Sequence, residues 1–274
     1  MNSASGIENF VLQHEALLRA GCFFGVFTIM LVWELVAPRR LLSVSKMLRW
    51  SSNLGLLLVN IVVLRLLFPV AAVGMALYAS EKGWGLFNLL ELPFWVEVCA
   101  AIILLDLLIY GQHMLMHLVP VLWRLHRVHH ADLDIDLTTG SRFHTLEIIF
   151  SMLLKSLAIL ILGPAVFAVL VFEVVLNLMS IFNHSNVSLP KPVDRIVRRL
   201  LVTPDMHRVH HSIILQETNS NYGFNLSIWD RLFKTYIDQP RLGHDDMTIG
   251  IPGFRDPAQV DKLPGMLLLP FVNK

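Results

Sequence analysis

Long apolar runs alternate along the chain with polar connections, and the lengths of the runs sort them into elements. Residues 21–37 are apolar apart from Glu34 and stop at Pro38-Arg39-Arg40. That is long enough for a first transmembrane helix, which needs roughly 17 to 25 residues. Residues 1–19 are mixed in character, without the basic start and small-residue cleavage site of a signal peptide, and read as a short N-terminal tail. A second aliphatic run, 53–78, is interrupted by Asn60 and Arg65, and a third covers 92–110; each is predicted to span. Residues 148–182 are too long for one ordinary span and are broken at Gly163-Pro164, with Lys155, Glu173 and Asn177 as their strongly polar members. They predict a helical hairpin, fully spanning or re-entrant. The polar stretches 118–147 and 183–274 form a cap and a C-terminal lobe. The expected fold is all-α and integral to the membrane, with about four transmembrane helices or helical hairpins and a cytoplasmic histidine-rich cap.

Charge supplies the orientation. Arg39, Arg40, Lys46 and Arg49 follow the first run, Arg124, Arg127 and Arg142 lie in the cap, and Lys191, Arg195, Arg198 and Arg199 open the lobe. The connection bearing Glu81, Lys82 and Glu91 has no positive excess. Under the positive-inside rule the cap and lobe are cytoplasmic. At 55% hydrophobic and 16% charged residues, the composition lies outside the range of soluble domains. The 22 basic and 21 acidic residues leave no footprint for nucleic acid. Cys22 and Cys99 are isolated in apolar segments, which excludes a disulfide framework, a thiolate zinc site and an iron–sulfur cluster.

Imidazole is the abundant metal-ligand group. Nine of the 12 histidines fall in His113-x-x-x-His117, His126-x-x-His129-His130, the lone His184, and His207-x-x-His210-His211; the pentapeptide HRVHH occurs twice. On a helix these spacings gather side chains over about one turn. Nine candidate ligands exceed what one ion can use and point to two metals, though imidazole accepts zinc, copper, iron or nickel. Asp106, Tyr110, His113 and His117 share one helical face. A carboxylate there suits the orientation of an imidazole N–H. His14 and His244 read as solvated surface groups, and His144 as a hydrogen-bonded histidine with a possible contact to metal or substrate. The competing reading is a histidine-rich membrane metal transporter or metal-binding protein, but a transport path needs ligands near the midplane with access from both faces.

The order of these motifs resembles the fatty acid hydroxylase superfamily, which includes the sterol desaturases. The matching residues are Asp106-x-x-x-Tyr110-x-x-His113-x-x-x-His117, His126-x-x-His129-His130, Arg142-x-His144-x-x-Glu147, Asn183-His184-Ser185-Asn186, His207-x-x-His210-His211, Asn221-Tyr222-Gly223 and Trp229-Asp230. The resemblance implies that His113, His117, His126, His129, His130, His184, His207, His210 and His211 hold two iron ions that activate O2, with zinc as a possible substitute. It implies supporting roles for Asn221 and Asp230, and places His144 and Glu147 near the site. Lys234 departs from the pattern, since similar proteins commonly have a small residue there. The implied activity is oxidation of a lipid C–H segment, by hydroxylation or desaturation of a fatty acyl, sterol or ether-lipid substrate, with electrons from a separate donor protein. The corresponding division is an N-terminal transmembrane region at 1–105, a catalytic domain at 106–240, and a C-terminal tail at 241–274 packed on the cap.

Overall fold

The structure, a computed structural model, describes Gly6 and residues 10–273. Among these residues there are helices and turns but no strand beyond three isolated bridges. The first long helix, α1, covers Glu15–Val36. It begins inside the stretch expected to be a tail, because Glu15 and Arg19 pair one turn apart at 2.8 Å and extend it. The rest of the expected tail lies largely outside the described residues.

The second span differs from its sequence prediction at both ends. Helix α2 runs Lys46–Leu67 and is capped by the Ser45 hydroxyl, which accepts from Leu48 N. It stops before Phe68-Pro69, since proline lacks a donor and forces its predecessor out of helical conformation. Residues 72–82 form a separate helix, α3 (Ala72–Lys82), followed by the short α4 (Leu86–Leu89). Ala72, Val73 and Ala76 of α3 are buried against Leu105, Ile109, Ile159 and Phe172, so the small side chains let it pack inside the bundle.

Helix α5 (Phe94–Leu118) continues past the expected end of the third span and carries His113 and His117. Pro120 then opens α6 (Pro120–His130) at a position where its missing N–H costs nothing. The hairpin consists of α7 (Thr145–Leu162) and α8 (Val166–His184). At about 1.5 Å per residue each extends roughly 27 to 28 Å, close to the thickness of a hydrocarbon core. Gly163 at the break has φ 59°, and a Cβ there would lie 2.1 Å from the Trp84 carbonyl oxygen. Conformation and space both require glycine. Among the described residues, five helical segments are long and apolar enough to cross a membrane: α1, the stretch from α2 through α4, α5, α7 and α8. The chain is an integral membrane protein.

The cap is polar in composition yet buried. Arg49 of α2 donates to both oxygens of Asp132, at 2.6 and 2.9 Å, and to Asp136 at 2.5 Å. Arg142 donates to the carbonyls of Val128 and Val260 and meets Asp261 at 3.4 Å. Burial disfavours the Asp132 carboxylate, but Arg49 and Arg142 outweigh it and hold its pKa at about 2. The irregular backbone after α6 is thus locked onto α2 by paired charges. The lobe adds α9 (Lys191–Val197), α10 (Pro204–His210) and several shorter helices. Its final residues return to α6, where Arg124 donates to Pro270 O and Arg127 to Leu269 O and Val272 O.

Candidate metal centre

Four helices bring the nine motif histidines to one end of the bundle. His113 and His117 come from α5, His126, His129 and His130 from α6, His184 from the last residue of α8, and His207, His210 and His211 from α10 and its C-cap. They fall into two groups. His113, His117, His126, His130 and His210 form one, His129, His184, His207 and His211 the other, and in each the ligand atoms lie within 4.8 Å of one another. Each HRVHH helix therefore divides its histidines. On a helix the i and i+4 residues project about 40° apart, whereas i+3 projects about 100° from i+4. Hence His126 and His130 enter the five-membered group and His129 the other, while His207 and His211 enter the four-membered group and His210 the first. The repeated pentapeptide is used twice in reciprocal fashion.

Hydrogen bonds assign the bare nitrogens. The Nδ1–H of His113 donates to Tyr222 O at 2.8 Å, that of His210 to Ser220 O at 2.6 Å, and that of His184 to Ser180 O at 2.7 Å. His126 Nδ1 faces Glu147 Oε1 at 2.6 Å. With Nδ1 protonated, Nε2 is an unprotonated lone pair. Yet His113 Nε2 lies 3.1 Å from His126 Nε2 and 3.0 Å from His210 Nε2. In the second group His184 Nε2 lies 3.1 Å from His129 Nε2 and 2.9 Å from His207 Nε2. The bare lone pairs of His113 and His210 repel one another unless a cation lies between them. His211 Nε2 in turn lies 3.3 Å from His207 Nε2, so four Nε2 atoms converge in the second group, and both nitrogens of His130 in the first are buried without a hydrogen-bond partner. Buried polar atoms left unpaired are costly. The donor set fits a metal ion in each group.

Electrostatics agree. Burial, followed by the neighbouring imidazoles, pushes His129, His130, His207, His210 and His211 well below the ordinary histidine range. They are neutral near pH 7, the state that binds metal. The Phe143 ring stacks on His129 with centroids 4.4 Å apart and closes that side.

The other candidates from the sequence take different positions. Glu147 holds His126 directly. Asp106 does not hold an imidazole: it accepts from Trp229 Nε1 at 2.8 Å and Leu226 N at 3.2 Å, tying α5 to the lobe, because the face it shares with His113 turns toward residues 225–229 at that level. Asn221 donates to Met206 O and Ile237 O, and Asp230 accepts from the backbone N–H of Tyr222 and Gly223. Together they clamp the loop whose carbonyls orient His113 and His210. His144 sits outside both groups, with Nδ1 accepting from Leu146 N to cap α7 and Nε2 facing Leu267 O. His244 is buried rather than solvated, 3.7 Å from Asp205, since the lobe folds back over α10. His14 is partly exposed and stacks on Phe10.

The carbonyls of Ser180, Ser220 and Tyr222 that orient His184, His210 and His113 carry no side-chain signal in the sequence. Arg49, a topology marker by its charge, is the buried partner of Asp132 and Asp136. The Asp132, Asp134 and Asp136 run was the available sign that a buried cation was needed.

Beneath the five-membered group lies a cavity of about 330 Å³, bounded by α1, α2, α5, α7 and α8. His113, His126 and Glu147 line its upper end, and Phe27, Leu57, Met116 and Met152 are among its apolar walls.

The fold and site define an integral membrane protein with paired histidine clusters able to bind metal. The chain belongs to the fatty acid hydroxylase family, whose profile matches residues 98–235, just over half its length. It is 33% identical over 162 residues to an ornithine lipid hydroxylase of Rhizobium tropici, covering 59% of this chain and 47% of that protein. It is 30% identical over 164 residues to alkylglycerol monooxygenase of Xenopus tropicalis, covering 57% and 34%. A cholesterol 25-hydroxylase-like protein of Danio rerio is 27% identical over 257 residues, covering 84% and 96%. The chain thus spans less than half the length of the first two relatives. No solved structure matches it significantly.

Proposed function

We propose that the chain is a membrane-bound, O2-dependent lipid C–H oxidase that holds one iron in each histidine group and hydroxylates or desaturates a fatty acyl, sterol or ether-lipid substrate. The observation that carries this reading is the shared wall: His113 and His126 belong both to the five-membered group and to the lining of an apolar cavity at membrane depth. Bound iron would supply the activation of dioxygen, with zinc as a substitute that the same imidazoles accept. Backbone carbonyls hold His113, His184 and His210, Glu147 holds His126, and Asn221 and Asp230 brace the supporting loop. Asp106 and His144 position the lobe and α7 around them. The apolar walls exclude water and align an aliphatic segment with the ligand nitrogens.

The names of the relatives, a hydroxylase and a monooxygenase of lipids, support the substrate class. Electrons come from a separate donor protein at the cap, and the excess of Arg and Lys in the cap and its connections supports a cytoplasmic metal site. Residues 106–240 form the catalytic domain in this reading, with 1–105 as membrane frame and 241–274 as a tail on the cap. A transporter would need ligands along a path between the two faces, whereas here all nine imidazoles gather at one end.

The test is lipid profiling of cells with and without the gene, alongside purified protein given ferrous iron, oxygen and a reductant. One lipid class should gain one oxygen or lose two hydrogens. His129→Ala, which touches only the four-membered group, should bind one iron fewer and form no product. Full activity in that variant would overturn the site assignment.

A further inference from the structure

The cavity does not end in hydrocarbon. At the end far from the histidines its wall contains Lys155 of α7 and Glu173 of α8, both buried, with Ser151 and Asn177 beside them. Lys155 Nζ donates to Glu173 Oε1 at 2.5 Å, and Arg19 of α1 donates to the other oxygen, Oε2, at 2.7 Å. Arg19 also pairs with Glu15 at 2.8 Å. Glu173 therefore divides its charge between two cations. Lys155 has three donors and Glu173 takes one, so among the described residues the remaining N–H bonds of this membrane-depth ammonium have no hydrogen-bond partner. Ionisable groups at this depth are expensive and face an interior with a task.

Lys155 is eight residues beyond Glu147 on the same helix, a rise of about 12 Å. The cavity is thus polar at two ends, with apolar walls between. A purely aliphatic tail reaching down from the histidines would leave the ammonium unsatisfied, whereas an oxygen-bearing group at that point would accept from it. The four charges Glu15, Arg19, Glu173 and Lys155 cancel in sum, which favours a neutral oxygen over a carboxylate.

We propose that Lys155, held in place by Glu173, recognises a neutral oxygen function of the substrate, so that the cavity selects an amphiphile whose hydroxyl, carbonyl or ether oxygen is separated from the oxidised carbon by an aliphatic segment running along the wall between Glu147 and Lys155. The assignment deepens the oxidase reading and rests on it for the identity of the far end.

Binding of radiolabelled hexadecan-1-ol and hexadecane to the full-length protein in detergent tests this without turnover. The wild type should bind the alcohol more tightly than the alkane. Lys155→Met should weaken alcohol binding by about 10- to 100-fold, the usual worth of a hydrogen bond to a charged donor, and leave alkane binding unchanged. Lys155→Arg should retain the preference. If the loss of one of the two cations on buried Glu173 unfolds the single variant, Lys155→Met with Glu173→Gln removes both charges and should bind alcohol and alkane alike. Equal binding of the two probes by the wild type overturns the proposal. So does tighter binding of palmitate than of the alcohol, or an alcohol preference that survives in the double variant. Lipid oxidation by a protein that fails this test would leave the oxidase reading standing, and an alcohol-selective protein without oxidation would sink that reading alone.

Discussion

Glu147 and three backbone carbonyls decide which nitrogen of four histidines is available. Glu147 Oε1 lies 2.6 Å from His126 Nδ1 and orients that ring. Glu147→Ala should lower iron affinity roughly 10- to 100-fold, as is usual when the partner of a ligating histidine is lost. Iron retained after dialysis is the measurement, and wild-type retention would show that Glu147 does not act through His126. A second expectation concerns Lys234, the departure from the family pattern. It is exposed and has φ 61°, a left-handed conformation that costs a side-chain-bearing residue about 1 to 2 kcal/mol. Glycine relieves this but loses about 0.4 to 1 kcal/mol through its freer unfolded chain. Lys234→Gly should raise thermal stability slightly, and a clear fall would reveal a contact made by the lysine. Asn221, at φ 49°, keeps the same region at less cost because its side chain bonds Met206 O and Ile237 O.

Between elements, the turn Thr139–Ser141 approaches α8 closely near the metal centre. A Cβ on Gly140 would stand 2.4 Å from Ser180 O, the carbonyl that accepts from His184 Nδ1. Gly140→Ala must push the turn and α8 apart, an overpacking that typically costs about 1 to 3 kcal/mol. Metal bound by the four-membered group should fall while the five-membered group stays loaded, so stoichiometry from elemental analysis should drop toward one ion per chain. Unchanged stoichiometry would mean the approach is not tight in solution. The hairpin turn works in the opposite sense. Gly163 lets α7 and α8 reverse beneath α4, and Glu97 of α5 accepts from Ala165 N at 2.7 Å to start the second arm. His184 is delivered to the metal centre by that reversal.

On the scale of the whole molecule, charges buried between cap, lobe and bundle make stability depend on pH. Burial outweighs the attraction of Asp205 and lowers the pKa of His244 from 6.5 to about 4, with Arg39 and Arg208 also facing it. The unfolded chain binds this proton between about pH 6.5 and 4 and the folded chain does not, so stability rises with pH across that window and falls as pH drops through it. His244→Asn should flatten this part of the slope, read from thermal melts of wild type and variant between about pH 7 and 4. Parallel slopes would remove His244 from the account. The apolar runs, the break at Gly163-Pro164 and the nine histidines were legible in the sequence, because hydropathy length and helical spacing are properties of the chain itself. Even the end of α2 was written in Phe68-Pro69, although the unbroken hydropathy around it pointed to one longer helix. The partition into five and four imidazoles, the turn of Asp106 toward Trp229, the use of His144 as a cap and the burial of His244 were not legible. Spacing along a helix determines which side chains share a face. Only the packing of helices distant in sequence decides what that face meets, and here it brought α6 and α10 together in the register that gives each metal group a share of both HRVHH segments.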